Sequence, residues 1–401
     1  MKYLLTTTAL VALLWSCDEP LSESTLSLKT GQWLLLMDIG ETQIPLRLAL
    51  DSQGVFTFTN GEEVIAVTDA HITMDSLHIV MPRYNSAFIG KAENDSTIIG
   101  VWYNYDKEDY SIPFAAFHQS NPAKSQGDSE TYKYEVWFSP GPDAQHAIGL
   151  FDRTEDRVTG TFLTETGDFR FLEGDWKNDQ INLSCFDGAH MFLFTGETSG
   201  DSISNGQFYS GKHWQEPWIG ALNPDAELTH PDSLTYLLPG FETVEFSVSN
   251  ATGDTIEFTA EDYQDKVTII QIFGSWCPNC YDENEYYADL YGRCDDPALQ
   301  IIPVAFEVTD DLKASKAAVN KQFEEIGITY PAYFAGKRSK QKSSEMFSML
   351  NKIISYPTSI FIDKQGKVRK IHTGFYGPGT GIYYEEYVAT TDKFVMGLLA
   401  E

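Results

Sequence analysis

The chain has 401 residues, 42% of them hydrophobic, which is enough to bury more than one core and predicts at least two domains. Its 28 basic and 58 acidic residues leave a formal charge of −30, which argues against nucleic acid or a polybasic membrane contact and for a self-repelling soluble surface.

At the N-terminus, Met1-Lys2 precedes an apolar run over residues 3–15 and then Ser16-Cys17. The run is too short to span a bilayer and reads as a secretory signal over residues 1–16. Leu14-Trp15-Ser16-Cys17 resembles a bacterial lipobox, although Trp15 is unusual beside a cleavage site. That resemblance implies cleavage before Cys17 and a lipid anchor on its thiol and new amino group, several acyl chains giving a stable membrane attachment. An ordinary signal peptide with an incidental cysteine is the alternative. Residues 17–27 are polar and acidic without periodicity and read as a tether.

Residues 28–222 carry recurring alternating runs, among them IPLRLAL, VFTFTN, EEVIAV and SLHIVM, separated by turn signals at Asn60-Gly61 and Thr166-Gly167-Asp168. The expectation is an all-β, antiparallel domain, sandwich or barrel-like. Sliding the chain by 104 positions pairs Asp75 with Asp179, Leu77 with Ile181, Ile79 with Leu183, Phe88 with Phe192, Ile89 with Leu193 and Glu93 with Glu197. Two inserted residues then pair Trp102 with Phe208 and Tyr103 with Tyr209. This fits a duplication with repeats over about 28–120 and 131–222, and it equally fits the chance matching of alternating strands. Trp33, Trp102, Tyr103, Tyr105, Tyr110, Trp137, Trp176, Trp214 and Trp218 are expected chiefly as core and cross-strand filling, with a sugar or peptide platform as the sharper alternative. His71, His78, His190 and His213 lack a regular ligand spacing, and no catalytic constellation is seen in this region. Residues 223–240, with Pro224, Pro231 and Pro239-Gly240, read as a linker.

The third region, 241–401, has a hairpin over VEFSVSN and TIEFTA, then an apolar strand over 267–273 running into Trp276-Cys277-Pro278-Asn279-Cys280. Further elements are expected as a helix over 278–291, a parallel strand over 299–307, helices over 313–326 and 342–350, a hairpin of strands 358–363 and 367–373, and a closing helix over 383–399. Two thiols at a helix N-terminus point to thiol-disulfide chemistry. Cys277 is expected to face solvent and the unpaired backbone N–H groups that favour a thiolate. Pro278 falls where a missing N–H costs nothing. Half a zinc site is the alternative, but no second Cys-x-x-Cys or His-x-His cluster accompanies it, so no metal is expected. Cys185 and Cys294 remain, either as free buried thiols or as an interdomain disulfide, which needs Cα atoms within about 7 Å.

GSWCPNC, together with IIPVAFE (301–307), SYPTSIFIDKQGKV (355–368) and GFYGPGTG (374–381), resembles the thioredoxin-like superfamily and within it the TlpA/ResA group of extracytoplasmic thiol-disulfide oxidoreductases. The resemblance covers residues 241–401 and implies an α/β thioredoxin-like domain behind the β region. It implies Cys277 as attacking nucleophile, Cys280 as resolving cysteine, and Glu283, three positions on, as acid/base. It also implies a cis peptide at Pro357 and a substrate contact formed by Trp276, Pro278, Tyr356 and Pro357, with no cofactor beyond the Cys277–Cys280 disulfide. Two departures stand out: Gln271 where many thioredoxins carry a buried Asp, and Glu285 where they commonly carry a helix-bending proline. The neutral Pro278-Asn279 spacer and the acidic Asp282, Glu283 and Glu285 predict a poorly stabilised thiolate and hence a reductant. The implied partners are a protein disulfide, with apocytochrome c as the family's best-known substrate, and an inner-membrane electron donor of the CcdA or DsbD type. The implied location is the cell envelope, facing the periplasm or the cell surface. A binding lipoprotein recognising a glycan or envelope protein, with an auxiliary redox domain, is the other reading, and a copper chaperone using His372 a distant third.

Overall fold

The computed structural model describes residues 28–73, 76–120 and 127–401. Cys17, the signal, the tether and Asp75 lie outside them.

Two antiparallel meanders make up the β region. In the first, nine strands run from Gly31–Asp38 to Ser111–His118, and the first strand pairs with the last. The sheet stays open between Glu63–Val67 and Ala70–Ile72, which do not pair. In the second, Glu130–Phe138 pairs with Trp214–Leu222, and Gln145–Thr154 pairs with Arg157–Thr164. Those pairings close a ring from which only the two-residue strand Gly167–Asp168 is excluded. Alternation explains both barrels: along Gln43–Leu50, Ile44, Leu46, Leu48 and Leu50 point inward. At the 104-residue offset, Leu77–Val80 and Ser86–Asn94 of the first meander match Gln180–Phe186 and Met191–Ser199, which hold the corresponding places in the second.

The aromatic residues mostly fill these cores. Trp33, Trp102, Trp176 and Trp218 are buried, Phe162 stacks on Phe194 at 4.4 Å, and Trp214 and Tyr105 are exposed. The barrels are clipped together by buried polar groups. Asn60 donates to Phe186 O at 2.9 Å and accepts from Phe186 N at 3.0 Å, so a residue read as a turn signal serves as a cross-barrel tie.

Residues 223–240, expected as a linker, are half exposed but are tied down at several points. They hold a short helix, Pro231–Leu234, and Ala226 is buried against Ile148 and Leu163. Asp232 Oδ1 bonds His372 Nδ1 at 2.6 Å, and Thr373 Oγ1 donates to Thr235 Oγ1 at 2.7 Å. His372 is thereby buried in a structural pair instead of lying on a strand surface.

The C-terminal region is a seven-stranded sheet in the order Thr255–Phe258, Phe246–Ser249, Tyr333–Lys337, Leu299–Glu307, Val267–Phe273, Thr358–Ile362, Val368–Thr373. All seven residues of Val267–Phe273 are buried, as a strand covered on both faces requires. On one face Ile269 and Phe361 meet Tyr287 and Leu290 of the helix Pro278–Cys294 and Val395 and Leu398 of Ile382–Ala400. On the other, Ile270, Ile272 and Ile360 meet Val319 and Phe323 of Leu312–Ile326. The helix after the cysteines continues three residues past its expected end and stops where Asp295 takes a left-handed conformation, φ 44°. The shorter helix begins two residues early, at Lys340, because the Ser339 side chain caps it.

Candidate active site: a buried cysteine pair under a barrel hairpin

The central strand ends at Phe273, and the turn that follows is pinned by Glu307, which accepts from Ser275 N at 2.8 Å and Ser275 Oγ at 2.7 Å. Trp276 donates to Phe306 O at 2.8 Å, lies edge-on to Tyr356 at 5.7 Å, and carries the Arg338 guanidinium 4.3 Å above its ring. Cys277 is the helix N-cap residue, with Pro278 at the first helical position. Its sulfur accepts from Cys280 N at 3.4 Å, as an N-cap side chain should, and its thiol donates to Tyr356 O at 3.4 Å. The Tyr356-Pro357 peptide is cis. Trp276, Pro278, Tyr356 and Pro357 therefore surround the first thiol.

Cys280 is fully buried, and burial pushes its thiol well above the ordinary range, with the neighbouring Cys277 and the charge of Glu283 adding to the effect. Glu283 is no surface glutamate, being 0% exposed. It accepts from Gln271 Nε2 at 2.8 Å and Ser359 Oγ at 3.0 Å. Burial pushes its carboxyl up to about 7, against the opposing pull of these hydrogen bonds. Gln271, noted in the sequence as the missing aspartate, thus orients the carboxyl that stands behind the pair.

Cys277 does not face solvent. It is only 5% exposed, packed in the core of its own domain, and a hairpin of the second barrel, residues 164–171, lies across the start of the helix beside it. Asn279 Nδ2 donates to Asp168 Oδ1 at 3.2 Å and to Phe375 O at 3.0 Å, and Gly377 N donates to Asp168 Oδ2 at 2.6 Å. Burial and the charge of Asp282 raise the Asp168 carboxyl to about 7. Arg170, 6% exposed, ties three bodies together. One Nη1 donates to Pro278 O at 3.1 Å and to Asp282 Oδ2 at 2.6 Å, while Nη2 reaches Glu63 Oε1 of the first barrel at 2.5 Å. Beside it Arg83 stacks on Tyr281 at 4.3 Å.

Asp168 and Arg170 were missed in the sequence, where Thr166-Gly167-Asp168 reads only as a turn. Arg170 also corrects the charge argument. Of the three acidic residues taken to depress thiolate stability, Asp282 is ion-paired and Glu283 is buried with a raised value. Cys185 and Cys294 are both free. Cys185 sits in the second barrel core and Cys294 is half-buried, its sulfur 4.0 Å from that of Met396, so they form no interdomain disulfide. Among the described residues no cluster of three or more His, Cys, Asp or Glu could hold a metal ion.

The AhpC/TSA family model matches residues 239–371. That stretch is a thioredoxin-like domain. The chain is 28% identical over 129 residues to the thiol-disulfide oxidoreductase ResA of Bacillus thuringiensis subsp. konkukian, covering 32% of this chain and 66% of that protein, just under two thirds of its length. It is 27% identical over 140 residues to ResA of Geobacillus thermodenitrificans, covering 35% of this chain and 72% of that one. Among solved structures, the thioredoxin family thiol:disulfide interchange protein of Chlorobium tepidum TLS aligns with 39% of this chain and 95% of its own, at 19% identity and TM-score 0.29. StoA of Bacillus subtilis aligns with 38% and 99%, at 20% identity and TM-score 0.27. The β region, residues 28–222, lies outside the stretch that the family model matches.

Proposed function

We propose that the protein is an extracytoplasmic thiol-disulfide oxidoreductase, anchored through Cys17, that reduces disulfides in envelope proteins. The observation that carries the reading is the Cys277 thiol at a helix N-cap, 3.4 Å from the carbonyl that precedes cis-Pro357, with the buried carboxyl of Glu283 behind the second cysteine. In the reaction the Cys277 thiolate attacks one sulfur of the partner's disulfide, forming a mixed disulfide while the other sulfur leaves and takes up a proton. Glu283 then accepts the Cys280 proton. The Cys280 thiolate attacks Cys277 Sγ in the mixed disulfide, closing the Cys277–Cys280 bond and releasing the partner sulfur that Cys277 had captured, which takes up a proton; two electrons have then passed from the cysteine pair to the partner. A value near 7 suits a group that must take and return a proton at neutral pH. A membrane dithiol carrier of the CcdA or DsbD type would reload the pair by the reverse exchange. The neutral Pro278-Asn279 spacer supports the reducing direction, and the cation of Arg170 opposes it by favouring negative charge at the helix start.

The test is the equilibrium potential of the pair, read by Trp276 fluorescence in a dithiothreitol or glutathione buffer with Cys277→Ala as control. A value near about −270 mV supports the reductase, and one near about −120 mV reverses the direction. With no reversible transition the binding-lipoprotein reading takes its place.

A further inference from the structure

A peptide whose disulfide is to meet Cys277 must lie extended against the backbone ahead of cis-Pro357, the way an added strand pairs with an exposed edge. That place is already filled. Ser355 Oγ donates to Thr166 O at 2.6 Å, and Tyr376 OH donates to Thr164 O at 3.0 Å. The backbones come closer than side chains would permit: a Cβ on Gly374 would stand 2.9 Å from the Thr166 carbonyl carbon and 3.1 Å from Gly167 N. Grooves of about 190 and 580 Å³ approach Trp276, the smaller between the two barrels and the larger beside the first, but Cys277 lines neither. The chain's own hairpin therefore lies against the backbone beside cis-Pro357, where a substrate strand would have to lie to bring its disulfide to Cys277.

We propose that the hairpin 164–171 is a specificity gate: it occupies the substrate-strand seat at Ser355–Pro357, is latched there by Arg170, and must withdraw before a protein disulfide reaches Cys277. The proposal rests on the oxidoreductase reading for what the gate admits, but the covering itself is geometric. The latch fits the task because Arg170 holds carboxylates of two other bodies, Glu63 and Asp282, at once. Withdrawal of the hairpin breaks the contact of Arg170 with Asp282 on the redox side, while its contact with Glu63 ties the hairpin to the first barrel and the strand Arg157–Thr164 ties it to the second.

The experiment measures modification of Cys277 in the reduced full-length chain by N-ethylmaleimide and by a polyethylene-glycol maleimide of protein-like bulk, followed at that residue by peptide mass spectrometry. A change in thiolate stability moves both rates alike, whereas a gate moves the bulky reagent more. Arg170→Met should raise the bulky-to-small rate ratio roughly tenfold or more, the shift that follows loss of one charge-assisted hydrogen bond. Tyr376→Phe, which removes a single neutral bond to the hairpin, should raise it about threefold. If Arg170→Met fails to fold by circular dichroism and melting, Tyr376→Phe decides alone. An unchanged ratio in a folded variant overturns the gate. A raised ratio in a protein whose cysteine pair shows no reversible redox transition leaves the gate standing and removes the oxidoreductase reading, and a reversible transition with an unchanged ratio does the opposite.

Discussion

The redox side and the barrel side of the cysteine pair each hold a buried carboxyl pushed up to about 7, Glu283 and Asp168, for different reasons. Glu283 is raised by burial alone, against hydrogen bonds from neutral donors, and its charge acts on Cys280. Asp168 is raised by burial together with the negative charge of Asp282, and it spends its oxygens on Arg170 N, Gly377 N and Asn279. A shifted value marks desolvation, and what the group touches separates a carboxyl placed to serve a sulfur, as proposed for Glu283, from one that joins two domains.

Four substitutions break or sharpen that contrast. Cys277→Ala should abolish reduction of insulin disulfides outright, and measurable turnover would move the nucleophile elsewhere. Arg170→Met should cost about 3–5 kcal/mol in denaturant unfolding, because it strands buried carboxylates that were paired; a loss under about 1 kcal/mol would mean that the three bodies hold together without it. Glu283→Gln should lower turnover roughly a hundredfold and remove the inflection near neutral pH from the rate profile.

The same variant carries a stability signature. The folded value of Glu283 lies above its ordinary one, so the folded chain keeps a proton that the unfolded chain has already lost, and its stabilising share is lost as pH rises toward about 7. Between about pH 4 and pH 8 the stability difference should therefore move in favour of Glu283→Gln by on the order of 3 kcal/mol. Equal pH dependence in the two proteins would show that the carboxyl is solvated in solution. Asp168→Asn should have the smallest effect, about 1–2 kcal/mol, since one of its backbone donors loses an acceptor. It should raise and not lower turnover of a protein disulfide. A loss matching that of Glu283→Gln would erase the distinction between the two carboxyls.

Much of the redox domain is legible because its signals are local. The strands Val267–Phe273 and Leu299–Glu307 fall at their expected bounds, being largely apolar, β-branched runs. The cis peptide before Pro357 was expected from the motif and has no propensity signal of its own. In the β region alternation reveals strands but not their closure. Gly31–Asp38 meets Ser111–His118 across some eighty residues, and nothing in either run names its partner. The hairpin was the hardest to read. Thr166-Gly167-Asp168 has the composition of any solvent-exposed turn, and Arg170 adopts a left-handed conformation, φ 57°, that gives no sign in sequence of the carboxylates it will reach. The anchoring of residues 223–240 through Ala226, Asp232 and Thr235 escaped for the same reason, since proline and glycine mark a break in regular structure but not what the segment touches.

The glycines of GFYGPGTG have a comparative use. A Cβ on Gly374 would stand 2.9 Å from the carbonyl carbon of Thr166, and one on Gly379 would stand 2.9 Å from the backbone of Arg170. Together they form a footprint in which the receiving domain has been left bare where the visiting one lands. A thioredoxin-like domain bearing side chains at these two places would have to shift the hairpin to accept it, so two positions in a sequence help to separate domains that can dock such a hairpin from those that leave their cysteines open.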